Sequence, residues 1–276
     1  MVKFCTFVFH RKRKMKILIT NDDGYTARGI NLLAQMMRKY GEVTVVAPKI
    51  SQSGKSAGLT LGKRMYLETA ADEPGFRVFV LDGTPVDCVK MGVRLFLDEG
   101  GLPDLVLSGI NHGANTSTAS LYSGTLGAAA EAAVYDIPAI GLSLDSHEPD
   151  ADFTGALRYG EKVVQACLKE PMAKGTYVNV NVPDIPADDI LGFRFARRGK
   201  GRWVKDSDEE VDDEGRKCYV MRGRFQDLEA ATELPADGSP AGDHTTIHNN
   251  YVSVVAHTID NTDYTEVERL ASIWKL

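Results

Sequence analysis

Apolar positions along this chain alternate between short continuous runs and helical spacing. Ile17, Leu18 and Ile19 form a run that stops at Thr20-Asn21-Asp22-Asp23-Gly24, and a run of that length closed by a turn signal predicts a buried strand. Ile30, Leu33, Met36 and Met37 then fall on one face of a helix predicted over residues 28–40, and residues 43–46 read as a second buried strand. Strand, helix and strand in that order make a βαβ unit. The rhythm continues with a strand at 76–81 and a helix opened by Thr84 as N-cap with Pro85 at its first position. Strands at 105–107, 139–143 and 177–182 alternate with helices at 123–135 and 154–169. Beyond Pro183 the pattern changes: residues 193–196, 217–222 and 251–255 are strand-like, 236–243 is a Pro/Gly loop, and only 263–274 reads as helical. The expected fold class is α/β, a Rossmann-like three-layer parallel-sheet core over residues 15–190, with a β-rich and helical C-terminal extension over 191–276.

Length and composition agree with this. At 276 residues and 43% hydrophobic content the chain can bury one large core with an appendage. No apolar stretch approaches the ~20 residues of a membrane helix, so no membrane partner is expected. The net charge of −6 is uneven: Lys3, Arg11, Lys12, Arg13 and Lys14 all precede Met15, and setting those five positive charges aside leaves −11 for the rest. Such acidity argues against a nucleic-acid duplex as partner. A small anionic substrate remains compatible if a cation mediates. Cys5, Cys88, Cys167 and Cys218 show neither CxxC pairs nor zinc-like spacing, which points to a reducing, cytoplasmic setting. Residues 1–14 place their apolar stretch before their charges, the reverse of a secretory signal. They are expected to be a disordered extension or to lie upstream of a start at Met15. The seven acids between Asp206 and Glu214 read as a solvated hairpin tip.

Candidate chemistry gathers at strand ends. Open α/β sheets hold ligands at the carboxyl ends of their strands, and there the chain places Asp22 and Asp23, then Ser51 and Ser53 of a polar loop, then Asn111 and Asn115. Each alone has a plain reading: Asp-Asp-Gly as a turn and helix cap, Asn-His-Gly as an Asx turn, Ser123-Gly124-Thr125 as an N-cap. Together they form an all-oxygen set. Carboxylate, hydroxyl and amide oxygens suit Mg²⁺ or Mn²⁺, or Ca²⁺ as a substitute in a crystal, better than zinc or copper. A cation with open positions can polarise a phosphoryl oxygen and activate water, while amides of Gly124 and Thr125 at a helix start are placed to hold phosphate oxygens.

Several long segments in order, KILITNDDGYTARGI, VVAPKISQSG, GTPVDCV, PDLVLSGINHGAN, YSGTLGAAAEAA and IPAIGLS, resemble the SurE (survival protein E) nucleotidases. The match runs from Lys16 to about Val182, with a weaker echo at Tyr251-Val252-Ser253-Val254. The resemblance implies a metal-dependent phosphatase acting on nucleoside 5′- or 3′-monophosphates, with short polyphosphate as a further substrate in some members. It implies metal ligation by Asp22, Asp23, Ser53 and Asn111, with one cation per subunit, and phosphate contact by Asn115 and then Ser123, Gly124 and Thr125. Asp22, Asp23 and Asn115 are thereby the catalytic candidates. The resemblance also assigns the C-terminal extension to dimer or tetramer contacts between copies. Tyr25, Ile50 and Ser51 depart from the family pattern without removing a ligand.

Two alternatives stand beside this. Haloacid-dehalogenase phosphatases also place an Asp-rich motif after a first strand, but here the position two before Asp23 is Asn21, which is no nucleophile. Asp22 itself remains open as general base or as covalent nucleophile. A nucleotide- or metal-sensing module without turnover would use the same loops.

Overall fold

The computed structural model describes residues 14–205, 207–229 and 232–274. The expected extension over residues 1–14 therefore falls, apart from Lys14, outside the described residues, as does Asp206 of the acidic run. In chain order the elements are β1 (Met15–Thr20), α1 (Arg28–Met37), β2 (Gly41–Pro48), β3 (Leu67–Glu73), β4 (Phe76–Leu81), α2 (Pro85–Asp98) and β5 (Leu105–His112). A 3₁₀ turn (Ser117–Leu121), α3 (Gly124–Val134), β6 (Ala139–Leu144), α4 (Thr154–Lys169) and β7 (Thr176–Val182) follow. The remainder comprises β8 (Phe193–Phe195), β9 (Arg202–Val204), β10 (Ser207–Val211), β11 (Lys217–Met221), β12 (Arg224–Gln226), α5 (Asp243–His248), β13 (Val252–Thr258) and α6 (Tyr264–Ile273). No described helix is long and apolar enough to cross a membrane.

One nine-stranded sheet runs β3-β4-β2-β1-β5-β6-β7-β13-β8. Its six central strands, from β4 to β7, are parallel. Successive residues of a strand face opposite sides, and β1 shows the consequence. Ile17 and Ile19 pack with Ile30, Leu33 and Met37 of α1 and with Tyr159 of α4, while Leu18 packs with Val89, Val93 and Phe96 of α2 and with Ala128 and Ala132 of α3. Helices thus cover both faces, which gives the three expected layers. The α2 start carries the capping box: Thr84 Oγ1 accepts from the Asp87 amide at 3.1 Å and Asp87 Oδ2 accepts from the Thr84 amide at 2.9 Å.

Three features depart from the sequence expectations. Strand β3, LETAADE, was not foreseen because it is mostly exposed and acidic; it pairs antiparallel with β4 as a charged edge strand. Helix α5 starts at Asp243, the last residue of the expected loop, so 263–274 is not the lone C-terminal helix. Residues after 190 also enter the main sheet, since β13 pairs antiparallel with β7 and β8 pairs parallel with β13. The described part of the acidic run forms β10 and the turn to β11, where exposed pairs such as Lys217–Glu209 accompany it.

His257 of β13 gives the fold a pH dependence. Its ring stacks on Tyr177 at 5.3 Å between centroids, and its Nε2 is buried without a partner. Burial, with a smaller contribution from the Arg198 charge, lowers its pKa to about 4. Because the folded value lies below the unfolded one, the contribution of neutral His257 is present above about pH 6.5 and is lost as pH falls toward 4. Urea unfolding at pH 7 and pH 5 is expected to show a loss on the order of 1–2 kcal/mol from this source, absent in His257→Phe. An unchanged slope in the variant would contradict the assignment.

Candidate active site

The strand order reverses at β1, with β2 on one side and β5 on the other, so the crevice at their carboxyl ends is the topological switch point. The chain leaves β1 through Asn21, which is fully buried. Its Nδ2 donates to the Gly24 carbonyl at 2.9 Å and its Oδ1 accepts from the Gly24 amide at 3.3 Å, clamping the turn that presents the two aspartates. Gly24 sits at φ +102°, a conformation glycine adopts without strain. Asn21 is therefore a turn clamp with its amide already spent.

Asp22 is 4% exposed. Its carboxylate accepts from Thr125 Oγ1 at 2.5 Å, and the backbone N–H groups of Gly124 and Thr125 at the start of α3 are directed at the same group. Burial raises its pKa, and these donors oppose the shift. The Asp23 carboxylate accepts from the His112 amide at 3.2 Å. Burial first, and then the Asp22 charge, raise its pKa to about 6. No ion pair joins either carboxylate to a Lys or Arg among the described residues.

The serine loop after β2 is laid over this turn. The Gln52 amide donates to the Asp22 carbonyl at 2.7 Å and the Ser56 amide to the Tyr122 carbonyl at 3.1 Å. Ser51 and Ser53 hydroxyls lie 3.0 Å apart. Helix α3 comes so close that a Cβ on Gly127 would sit 2.4 Å from the Ser56 carbonyl oxygen. Gly127→Ala must displace the loop that carries Ser53, so activity at the site is expected to fall about 10–100-fold. A kinetically silent variant would show that the loop does not serve the site.

A cavity of about 850 Å³ opens here, and Asp22, Ser53, Asn111, Asn115 and Ser123 all line it. Asn111 is 9% exposed, and its Nδ2 donates to the carbonyls of His112 and Gly113 at 3.2 and 2.8 Å, which leaves Oδ1 for a ligand. Asp23, next to Asp22 in the chain and part-buried, is not among the residues that line the cavity. The far wall comes from beyond residue 190, with Arg202 and Trp203 of β9 and Met221 of β11. His112 and His147 also line the cavity, and burial, more than the nearby His147 and Arg28 charges, lowers the His112 pKa.

The expected phosphate contacts at the α3 start divide. Ser123 Oγ accepts from the Leu126 amide at 3.1 Å as the N-cap. The Thr125 hydroxyl is spent on Asp22, and neither Thr125 nor Gly124 lines the cavity. The cause is closeness: a Cβ on Gly124 would lie 2.8 Å from the Asp22 Cβ, so the helix begins directly over that side chain. Sequence reasoning also missed Ser143, Asn179 and Asn181, which hydrogen-bond to Asn115. Polar residues inside strands that otherwise read as buried were the available signal.

The donor set fits a hard divalent cation. Two adjacent carboxylates lack a Lys or Arg ion-pair partner among the described residues, and the Asn111 amide and Ser53 hydroxyl line the same cavity as Asp22, an oxygen set of the kind hard cations take.

Similar chains occur in other organisms. The family model described as survival protein SurE matches residues 17–205. The 5′-nucleotidase SurE of Chlorobaculum tepidum is 38% identical over 254 residues, covering 92% of each chain. That of Bacteroides thetaiotaomicron is 35% identical over 260 residues, covering 94% of this chain and 95% of its own. The crystal structure of the SurE protein from Aquifex aeolicus superposes with a TM-score of 0.76 at 33% identity, covering 93% of this chain and 98% of that one. With the fold, the switch-point site and these matches in agreement, the chain belongs to the survival protein SurE family.

Proposed function

We propose that this protein is a divalent-metal-dependent phosphatase that hydrolyses nucleoside 5′-monophosphates to nucleoside and phosphate, with 3′-monophosphates and short polyphosphate as further substrates. The observation that carries the proposal is the pair of adjacent carboxylates, buried Asp22 and part-buried Asp23, without a Lys or Arg ion-pair partner among the described residues, beside a cavity of nucleotide size, about 850 Å³. The names of the C. tepidum and B. thetaiotaomicron relatives support the substrate class.

Asp22, Asp23, Ser53 and Asn111 would hold one Mg²⁺ or Mn²⁺ per subunit. When bound there, the cation supplies Lewis acidity toward a phosphoryl oxygen and lowers the pKa of a coordinated water. Asn115 and Ser123, which line the same cavity, would contact the phosphate, Ser123 at the start of α3. Asp22 accepts the proton of the attacking water, with Thr125 Oγ1 holding its carboxylate in place. Asn21 offers no covalent alternative because both ends of its amide hold Gly24.

Exposed apolar side chains beyond residue 190, Phe195 at 79% and Met221 at 75%, support self-association as a dimer or tetramer, which light scattering tests. For the activity, purified protein with Mn²⁺ would be given 5′- and 3′-nucleoside monophosphates and short polyphosphate, and free phosphate measured. Release from 5′-monophosphates is expected; tight nucleotide binding without release would make the protein a sensor instead.

A further inference from the structure

Strand β7, TYVNVNV, puts two asparagines on one face of a strand in the middle of the sheet. Asn179 and Asn181 are fully buried, as is Ser143 on neighbouring β6. Buried carboxamides must find partners, so the bonds they make indicate their use. Asn181 Oδ1 accepts from the Asn115 backbone N–H at 2.7 Å, and Asn179 Nδ2 donates to the Asn115 carbonyl at 2.8 Å. Asn115 Nδ2 donates to Ser143 Oγ at 2.8 Å, and Asn181 Nδ2 donates to Asn179 Oδ1 at 3.1 Å. Three of the four bonds end on Asn115.

The strand register explains the convergence. Asn111 of β5 pairs with Ser143 of β6, Ser143 with Asn181 of β7, and Asn181 with Ser253 of β13, a row of polar residues crossing four adjacent strands. Asn115 lies in a loop between β5 and the 3₁₀ turn, where its backbone amide and carbonyl have no ladder to join. Side chains of β7 take the place of that ladder. Apolar residues would fill the same sheet positions without any need for partners, so packing alone does not account for the row.

We infer that Ser143, Asn179 and Asn181 are positioning residues that fix the backbone and carboxamide of Asn115 at the phosphate, an inference that rests on the phosphatase reading above. Ser143 sets the direction of the Asn115 carboxamide, and the two asparagines set the loop that carries it.

A double-mutant cycle tests this with the full-length protein, Mn²⁺ and a nucleoside 5′-monophosphate. Ser143→Ala and Asn181→Ala are each expected to lower kcat/KM about 10–100-fold, the scale at which small misplacements act. In an Asn115→Ala background the same substitutions are expected to change kcat/KM less than about twofold, because their effect passes through a side chain already removed. Equal losses in both backgrounds, or a lowered melting temperature with unchanged kinetics, would overturn the inference. Should Asn181→Ala not fold, Ser143→Ala, which removes a single hydroxyl, carries the cycle alone. Wild-type turnover with additive effects overturns this inference only; no wild-type turnover overturns the phosphatase reading with it.

Discussion

Replacing Asp23 by asparagine is expected to reduce phosphate release about 10³-fold or more, on the scale of losing one preorganised electrostatic element from a site. The same substitution is expected to raise, not lower, the melting temperature of the metal-free protein. Burial and the neighbouring Asp22 charge lift the Asp23 pKa to about 6. A folded value above the unfolded one means that the contribution of the protonated carboxyl is present below about pH 4 and is lost as pH rises to about 6. At pH 7.5 the metal-free wild type therefore carries the full penalty of an ionised Asp23 in a desolvated position beside Asp22, and the neutral amide does not. Activity assays paired with thermal melts in EDTA check both halves. A variant that is inactive because it is unfolded would melt lower, the opposite of what the charge pair predicts.

Asp243→Ala is expected to give the largest loss of stability, about 3–5 kcal/mol in urea unfolding. Asp243 is fully buried and its carboxylate accepts from the amides of Ser117, Gly199 and His244, each at about 3 Å. Those bonds tie the start of α5 to the 3₁₀ turn and to the segment before β9, so one side chain joins three separated parts of the chain. Burial raises its pKa while the amide donors oppose that shift. Alanine leaves buried N–H groups without partners; asparagine keeps one acceptor oxygen and is expected to lose roughly half as much. A loss below about 1 kcal/mol for Asp243→Ala would show that water replaces the carboxylate at little cost.

The parallel core was legible because most of its strands hold a short apolar run and α1, α2 and α4 each have one apolar face, while α3 is marked by its run of small residues. The helix expected at 154–169 matches α4 to the residue. Strand β3 was hidden because an edge strand is solvated and acidic residues are permitted there, so no apolar pattern marks it. The start of α5 was hidden in a Pro/Gly segment because its first residue serves contacts more than 40 positions away in sequence, and local pattern carries no trace of them.

In the site, Asp22, Ser53, Asn111 and Asn115 could be grouped from sequence because strand ends on one sheet edge converge whatever the loop detail. Thr125 could not be placed that way. Its hydroxyl serves Asp22 because α3 starts directly over that side chain, a distance set by the packing of glycine-bearing surfaces and not by spacing along the chain. Likewise, the pairing of Asn111, Ser143 and Asn181 depends on register across three strands. Register follows from which residues face the core in each strand, and only the assembled sheet displays it.

The proposed metal site, Asp22, Asp23, Ser53 and Asn111, makes phosphate-ester hydrolysis dependent on a bound cation. Protein stripped with EDTA and freed of chelator by dialysis would be assayed for phosphate release from a nucleoside 5′-monophosphate, first alone and then with Mn²⁺ added. A cation held at this site is expected to give no release from the stripped wild type, recovery on adding Mn²⁺, and no recovery in Asp22→Asn or Asp23→Asn. Undiminished release by the stripped wild type, or equal recovery in both variants, would contradict it.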